Sequence, residues 1–268
     1  MKKTKPLTYA GYLKVEELLR LQRRLTNAHD ELQFIVVHQV FELWFKLLLF
    51  ELESIRTALF AGDLPTAVHL LRRTHAIVHN LTAAFSAIET MRPYAFLEFR
   101  SELKPASGFQ SRQFREIEFV SGAKDEHYLR TYDDDPRGAN AVRARLEEPT
   151  VWDAFIALLR ARGFEAATDA GIVQSLIRIQ KDPARSDLND LIEALIEYDL
   201  LWSLWRRRHV LMVERMIGAK PGTGQKTVAR VVGEGYEEMG SGGVEYLRST
   251  LAKKFFPLLW EARTFMER

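Results

Sequence analysis

Two histidines lie at helical spacing among aromatic and apolar residues, where an imidazole could act on a bound ligand. The first is His209, and the residues on its helical stripe are Trp202, Trp205, Met212, Val213 and Met216. Side chains of this kind suit a large flat apolar ligand, and an imidazole among them can ligate a metal at that ligand's centre. The alternative is a core histidine satisfied by one hydrogen bond, and the stripe alone favours that alternative.

The second histidine, His38, belongs to an unusually apolar segment. The other residues on its helical face are Phe34, Ile35, Phe41 and Phe45. Residues 32–52 are apolar on nearly every side, so a helix here must be covered within a large bundle or by another subunit. The segment is long enough to suggest a membrane span, but the charged and imidazole groups inside it argue against one.

Phe96 and Arg100 lie one helical turn apart and could clamp a ligand that carries a carboxylate. A guanidinium binds a carboxylate through two parallel hydrogen bonds, while a neighbouring ring packs against the apolar part of the ligand. The alternative is a surface arginine that covers a hydrophobic ring, which is the commoner arrangement.

His75 and His79 also have a spacing that suits a metal. However, the Glu-x-x-His pattern of di-iron helical bundles is missing around them. Solvated or hydrogen-bonded histidines are therefore the default interpretation of this pair.

The composition is that of a soluble globular protein. The chain has 268 residues, 47% hydrophobic and 28% charged, with a net charge of +2, so nothing favours nucleic acid or a membrane as partner. The basic start is followed by no apolar signal-peptide region. There is no cysteine, which excludes disulfides, thiolate-ligated haem and iron–sulfur clusters and predicts a cytoplasmic location.

Helical periodicity dominates the elements that must position these residues, and no alternating strand is convincing. Predicted helices span residues 11–25, 29–60, 64–91, 151–162, 172–180, 187–217 and 243–265. Gly62 predicts the end of one helix, and Asp63 followed by Pro65 predicts the start of the next. Gly218 predicts the end of the helix that carries His209. We predict a single all-α domain over residues 1–268, built as a helical bundle.

Several longer motifs follow one another along the chain. They are Leu7-Thr-Tyr9-Ala-Gly-Tyr12-Leu13, Phe34-Ile-Val-Val-His38-Gln39, Glu42-Leu-Trp-Phe-Lys46, Phe99-Arg100, Ala106-Ser-Gly-Phe-Gln-Ser111, Arg208-His-Val-Leu-Met-Val-Glu-Arg-Met-Ile-Gly218, Gly222-Thr-Gly224 and Phe255-Phe-Pro-Leu-Leu-Trp-Glu261. In this order, and over essentially the whole chain, they resemble the tryptophan 2,3-dioxygenase family. The resemblance implies a cytoplasmic all-α homotetramer with haem b, whose iron and O2 open the indole ring of L-tryptophan. The product would be N-formylkynurenine, from the first step of tryptophan breakdown through the kynurenine pathway.

The resemblance also implies roles for residues at the haem. His209 is expected to be the proximal ligand of the haem iron, with Trp205 beside it. Ser107 and Gly108 are expected on the distal haem wall.

A further set of roles concerns the amino acid. The resemblance implies that His38 lies near the indole N–H as the catalytic-site histidine and that Phe34 packs against the indole ring. Arg100 would bind the carboxylate, with Phe96 in the aromatic position before it, and Thr223 would contact the ammonium group. The remaining two residues, Tyr9 and Tyr12, would come from a neighbouring subunit.

One departure from the family pattern is an apparent insertion of fifteen residues, 225–239, before Gly240-Ser-Gly-Gly243. Because the insertion adjoins Thr223, we predict a lid loop there, and the identity of the substrate stays open. The alternatives are a haem oxygenase of the same fold acting on a modified tryptophan or another aromatic amino acid, and a helical haem-binding protein without turnover. Arg100 and Thr223 beside both histidines favour an enzyme, since a haem carrier needs no amino-acid clamp.

Overall fold

The computed structural model describes residues 6–224, 229–232, 235–238 and 243–267. Its helices are α1 (Tyr9–Leu13), α2 (Val15–Leu18), α3 (Glu31–Ala61), α4 (Leu64–Ile88), α5 (Pro93–Arg100), α6 (Arg112–Ser121), α7 (Pro136–Glu147), α8 (Val151–Ala161), α9 (Asp169–Lys181), α10 (Ser186–Ile217), α11 (Gly243–Ser249) and α12 (Pro257–Thr264). Two short strands, β1 (Ala229–Val232) and β2 (Gly235–Glu238), lie between α10 and α11. The all-α prediction is confirmed for the core, and the strands are an addition that the sequence did not predict.

Three long helices form the core, and their ends follow the chemistry of the chain. Gly62 ends α3 with a left-handed φ of 74°, and the Asp63 carboxylate accepts a hydrogen bond from the Thr66 amide at 3.1 Å. Pro65 lies in the first turn of α4. Gly218 ends α10 with a φ of 59°. The predicted boundaries at all three points are confirmed.

The apolar core lies where α3 packs against α4, α6 and α8 and where α10 packs against α4. Its fully buried side chains include Leu48, Leu52, Ile55, Leu71, Val78, Leu195 and Trp202. Burial of such side chains from water is the main force that holds helices of this kind together.

One side of α3 is not covered by the described part of the chain. Its exposed apolar residues are Leu32, Val36, Leu43, Leu47, Phe50 and Phe60. By length and composition alone α3 could also cross a membrane, a property it shares with core helices of soluble proteins. The sequence predicted that the remaining helices of one chain cannot cover this segment, and the exposed stripe agrees with that prediction.

The two terminal helices were expected to be continuous, and both expectations are wrong. A single helix was expected over residues 11–25, but Lys14 adopts a left-handed φ of 55° and separates α1 from α2, which ends at Leu18. At the other end, the helix expected over 243–265 is divided into α11 and α12, because Pro257 begins a new helix.

The predicted insertion at 225–239 lies partly outside the described residues. Within it, β1 pairs with β2 in an antiparallel register that sets Ala229 opposite Glu238 and Val232 opposite Gly235. The described part of the insertion is therefore a two-stranded antiparallel sheet.

Candidate active site

A cavity of about 320 Å³ lies between α3, α4, α5, α6, α10 and α11, within the range of cofactor and small-molecule sites. It brings together most of the residues that the sequence singled out. The predicted site residues on its wall are Phe34, His38, Phe96, Arg100, Ser107, Gly108, Trp205, His209 and Thr223. They come from distant parts of the chain: α3, α5 and α10 each carry a pair of them, and Ser107, Gly108 and Thr223 lie in the segments between these helices.

Tyr9 and Tyr12 are the two predicted site residues that do not line this cavity. Both lie on α1, where their side chains are 78% and 70% exposed. Within one chain they take no part in the site.

His209 lies on the α10 wall between two aromatic rings. Its imidazole stacks on Phe85 with a centroid distance of 5.5 Å and an interplanar angle of 6°, and Trp205 lies 5.1 Å away. No hydrogen bond fixes either ring nitrogen within the part of the chain that the structure describes. Burial lowers the pKa of His209 to about 4, and nearby His38 adds to the shift. The imidazole is therefore neutral at pH 7, and one nitrogen lone pair is free for a ligand.

His38 lies on the α3 wall, and one of its nitrogens is already engaged. Its Nδ1 lies 2.7 Å from the Phe34 carbonyl oxygen, and because a carbonyl only accepts, Nδ1 carries the proton. Enclosure within the cavity lowers the pKa of His38, although the bond to Phe34 and the charge of Glu42 act to raise it. In its neutral form His38 therefore presents Nε2 as a hydrogen-bond acceptor.

Phe34, Phe96 and Arg100 form a third part of the wall. The two phenylalanine rings stack with a centroid distance of 5.7 Å, and Phe34 also lies 4.0 Å from the His38 ring. The Arg100 guanidinium donates to the carbonyl of Pro221. No carboxylate among the described residues forms an ion pair with Arg100. The other N–H groups of its guanidinium are therefore available to an acidic ligand.

The segment after α10 crosses the cavity beside Arg100. The Thr223 hydroxyl donates to the carbonyl of Ala106 at 2.6 Å. Gly224 approaches Ser107 so closely that a Cβ added to it would lie 3.1 Å from the Ser107 Cβ. A side chain at position 224 would therefore press on the Ser107 turn, which explains a glycine there.

A buried group of cations borders another part of the cavity. Arg115 forms an ion pair with Glu118, and Arg206 approaches the same carboxylate at 3.4 Å. Lys253 donates to the Tyr128 hydroxyl at 2.9 Å. Burial alone would raise the pKa of Glu118, but the three cations hold it below its usual value. Three positive charges thus surround one negative charge.

Two buried N–H groups on the cavity wall lack an acceptor. They are Nε of Arg115 and the indole Nε1 of Trp205. Neither atom has a hydrogen-bond partner in the described ranges. A buried donor without a partner is costly, so such groups point to an acceptor that a bound molecule supplies.

The alternative metal pair, His75 and His79, does not belong to the cavity. His75 Nε2 lies 2.9 Å from the Ala194 carbonyl, an ordinary structural hydrogen bond. Across the residues with described positions there is no group of three or more potential metal-ligating side chains. The hydrogen bond of His75 agrees with the default interpretation of this pair.

Sequence reasoning missed several residues of the wall. The residues on α6 and α11 that it overlooked are Ser111, Phe114, Arg115, Glu118 and Tyr246, and on α3 it missed the cavity-facing role of Glu42. A signal was present in α6, where charged residues alternate with apolar ones at positions that cannot all face solvent. Buried charges of this kind need partners, and they therefore mark a built site.

The helical fold and this cavity define a class of protein: a helical bundle built around one ligand site that joins an unpartnered imidazole, an arginine and an aromatic wall. The sequence model described as tryptophan 2,3-dioxygenase matches residues 1–170 and 138–266. The chain belongs to the tryptophan 2,3-dioxygenase family.

Individual relatives agree over nearly the whole chain. A protein named tryptophan 2,3-dioxygenase from Nocardioides sp. is 47% identical over 266 residues, covering 96% of this chain and 94% of the relative. Proteins of the same name from Herpetosiphon aurantiacus and Caulobacter vibrioides are 41% and 37% identical, each covering 96% of this chain and 97% and 98% of their own lengths.

Proposed function

We propose that this protein is a haem-dependent dioxygenase that opens the pyrrole ring of L-tryptophan with O2 to give N-formylkynurenine. Membership of the tryptophan 2,3-dioxygenase family, with relatives so named over 96% of the chain, supports the reaction. The observation that carries the proposal is the neutral, unpartnered His209 in the same cavity as Arg100, Thr223 and His38.

The residues present fit haem b. A single imidazole cannot hold a bare metal ion firmly, so it suits a metal that brings its own ligands, as haem iron does. Arg115, Arg206 and the Trp205 N–H would hold the acidic groups of such a cofactor, because Arg115 Nε and the Trp205 N–H lack an acceptor and the two arginines outnumber Glu118 at the cavity. When bound, haem supplies the dioxygen chemistry, which belongs to the cofactor.

The chain's own residues would bind and orient the amino acid. Arg100 would take the carboxylate through free N–H groups, and Thr223 would contact the ammonium group beside it. Phe34 and Phe96, already stacked on one another, would pack against the indole ring. Fixing both charged ends and the ring at once holds the reacting bond of the substrate in a single position.

His38 would accept a hydrogen bond from the indole N–H through Nε2. Its Nδ1 proton is committed to the Phe34 carbonyl, so the accepting nitrogen faces the ligand. We assign His38 an orienting role rather than that of a base, because an indole N–H is a very weak acid and a neutral imidazole is poorly matched to it.

We further propose that the enzyme is a cytoplasmic homotetramer. The exposed apolar stripe of α3 would be covered by other subunits, and Tyr9 and Tyr12 would reach a neighbour's site.

Residues 225–239 would act as a lid, since they closely follow Thr223. If so, tryptophan should slow proteolysis at Lys226 or Arg230, and equal cleavage with and without tryptophan would count against a lid.

The central experiment is a turnover measurement with mass analysis. Haem-loaded protein is reduced without oxygen, then given L-tryptophan and ¹⁸O-labelled O2. A product that gains two labelled oxygen atoms supports the proposal. A gain of one indicates a monooxygenase of the same fold, and no gain despite bound haem indicates a haem carrier.

A further inference from the structure

Glu42 is a carboxylate on the cavity wall that none of the proposed binding roles uses. It lies on α3, one helical turn after His38. Its Oε1 accepts a hydrogen bond from the Ser111 hydroxyl at 2.6 Å, and its Oε2 accepts one from Gln113 Nε2 at 2.8 Å. Gln113 Nε2 also donates to the Glu42 backbone carbonyl at 2.9 Å. Both partners are neutral and both belong to the start of α6.

These bonds join two walls of the cavity. Ser111 is the N-cap of α6, where its hydroxyl accepts from the Phe114 amide at 3.3 Å while donating to Glu42. The turn just before Ser111 includes Ser107 and Gly108 on the cavity wall, and α6 beyond it carries Arg115. One side chain of α3 therefore fixes the position of a turn, a helix start and the residues that follow.

A carboxylate suits this place better than its amide. Two donors converge on two separate oxygens, whereas a glutamine offers one oxygen and an NH2 that would face another donor. The N-terminus of α6 also carries partial positive charge, which favours a carboxylate over a neutral group. Glu42 is close enough to His38 for its charge to raise the pKa of that histidine, which places the carboxylate beside the proposed indole pocket.

We propose that Glu42 is a positioning residue, which locks the Ser107–Ser111 turn and the start of α6 to the helix that carries His38. In this role Glu42 acts through Ser111 and Gln113. The inference rests on the proposed function only for its kinetic readout, because the clamp itself is a set of hydrogen bonds within the chain.

Glu42→Gln tests the clamp in the full-length protein by local hydrogen exchange and by kinetics. Exchange should rise in peptides covering residues 107–121 and stay unchanged in peptides of α4. The KM for tryptophan should rise about tenfold, with kcat changed much less, because the pocket is loosened rather than stripped of a reacting group. Ser111→Ala should act in the same direction, and Ser111→Thr, which keeps the hydroxyl and the N-cap, should restore wild-type behaviour.

Glu193→Gln is the matched control, since Glu193 likewise pairs with a residue of another helix, Arg263 of α12, and lies outside the cavity and away from α6. It should leave exchange at 107–121 and the KM unchanged. Unaltered exchange at 107–121 in Glu42→Gln, uniformly faster exchange that includes α4, or local loosening with an unchanged KM would each overturn the positioning role. If the wild type does not turn over tryptophan, the proposed function fails, while the exchange comparison still decides whether the clamp exists.

Discussion

The two histidines of the cavity have the same side chain but contrasting surroundings. His38 has one nitrogen engaged by the Phe34 carbonyl and a carboxylate nearby, whereas His209 lies against Phe85 and Trp205 without a hydrogen bond in the described structure. The first is held in one tautomer and presents an acceptor, and the second keeps a free lone pair in an apolar surrounding. The surroundings of an imidazole, rather than its presence in a pocket, therefore determine whether it suits a metal or a substrate.

The largest effect of a substitution is expected at His209. We expect His209→Ala to remain helical and folded but to lose nearly all of its bound haem, because no second histidine lies on the α10 wall among the described residues. Added imidazole should restore part of the haem absorption. Haem content and the Soret band measure the effect, and wild-type values in the variant would remove His209 from the role of iron ligand.

The next largest effect is expected at Arg100, which serves the substrate side of the cavity. A charge-assisted contact that is lost in a partly buried site costs about 2–4 kcal/mol, so Arg100→Ala should lower kcat/KM for tryptophan by about a hundredfold or more. An indole that lacks the carboxylate is the control substrate and should be affected much less. Equal losses with both substrates would show that Arg100 does not clamp the carboxylate.

Acid should destabilise the haem-free protein through His209. The folded pKa of His209 is about 4 against an ordinary 6.5, so on acidification the unfolded chain takes up the proton first. The stability contributed by neutral His209 is complete above pH 6.5 and is lost as the pH falls toward 4, by about 3 kcal/mol at most. Urea unfolding across this window should show a shallower pH dependence for His209→Phe than for the wild type, and identical slopes would contradict the assignment.

The smallest effect is expected at His38, where one neutral hydrogen bond is at stake. His38→Ala should lower kcat/KM for tryptophan by about tenfold, which corresponds to about 1.4 kcal/mol. The matched test uses 1-methyltryptophan, which has no indole N–H. The wild type and the variant should handle that substrate almost alike, and a tenfold difference that persists would assign His38 another role.

The sequence predicts the long elements of this protein well and its short ones poorly. Apolar spacing sustained over many turns identifies α3, α4 and α10 to within a few residues, because each buries one long face. The helix α6 is harder to predict, since its buried positions include Arg115 and Glu118, which pair with each other and with Arg206 of α10. The spacing of Arg115 and Glu118 allows them to pair within the helix, but only tertiary packing brings Arg206 to the same carboxylate.

The site follows the same rule. His209 and His38 stand out in sequence because an imidazole interrupts an apolar face, and the structure brings both to one cavity. Glu42 looks like an ordinary surface charge on a helix, and only its contacts with Ser111 and Gln113 reveal where it points. Their chemical roles remain predictions for the experiments above.

The glycine at position 243 has a consequence for protein engineering. A Cβ added there would lie 3.2 Å from the Lys220 carbonyl oxygen and 3.6 Å from the Gly222 nitrogen, so the chain returns almost to the point from which it departed. Segments whose ends meet can be shortened or exchanged at little entropic cost. We expect that a linker of a few residues could replace 225–242, or that a reporter peptide could be spliced into it, while the cavity wall on either side keeps its shape.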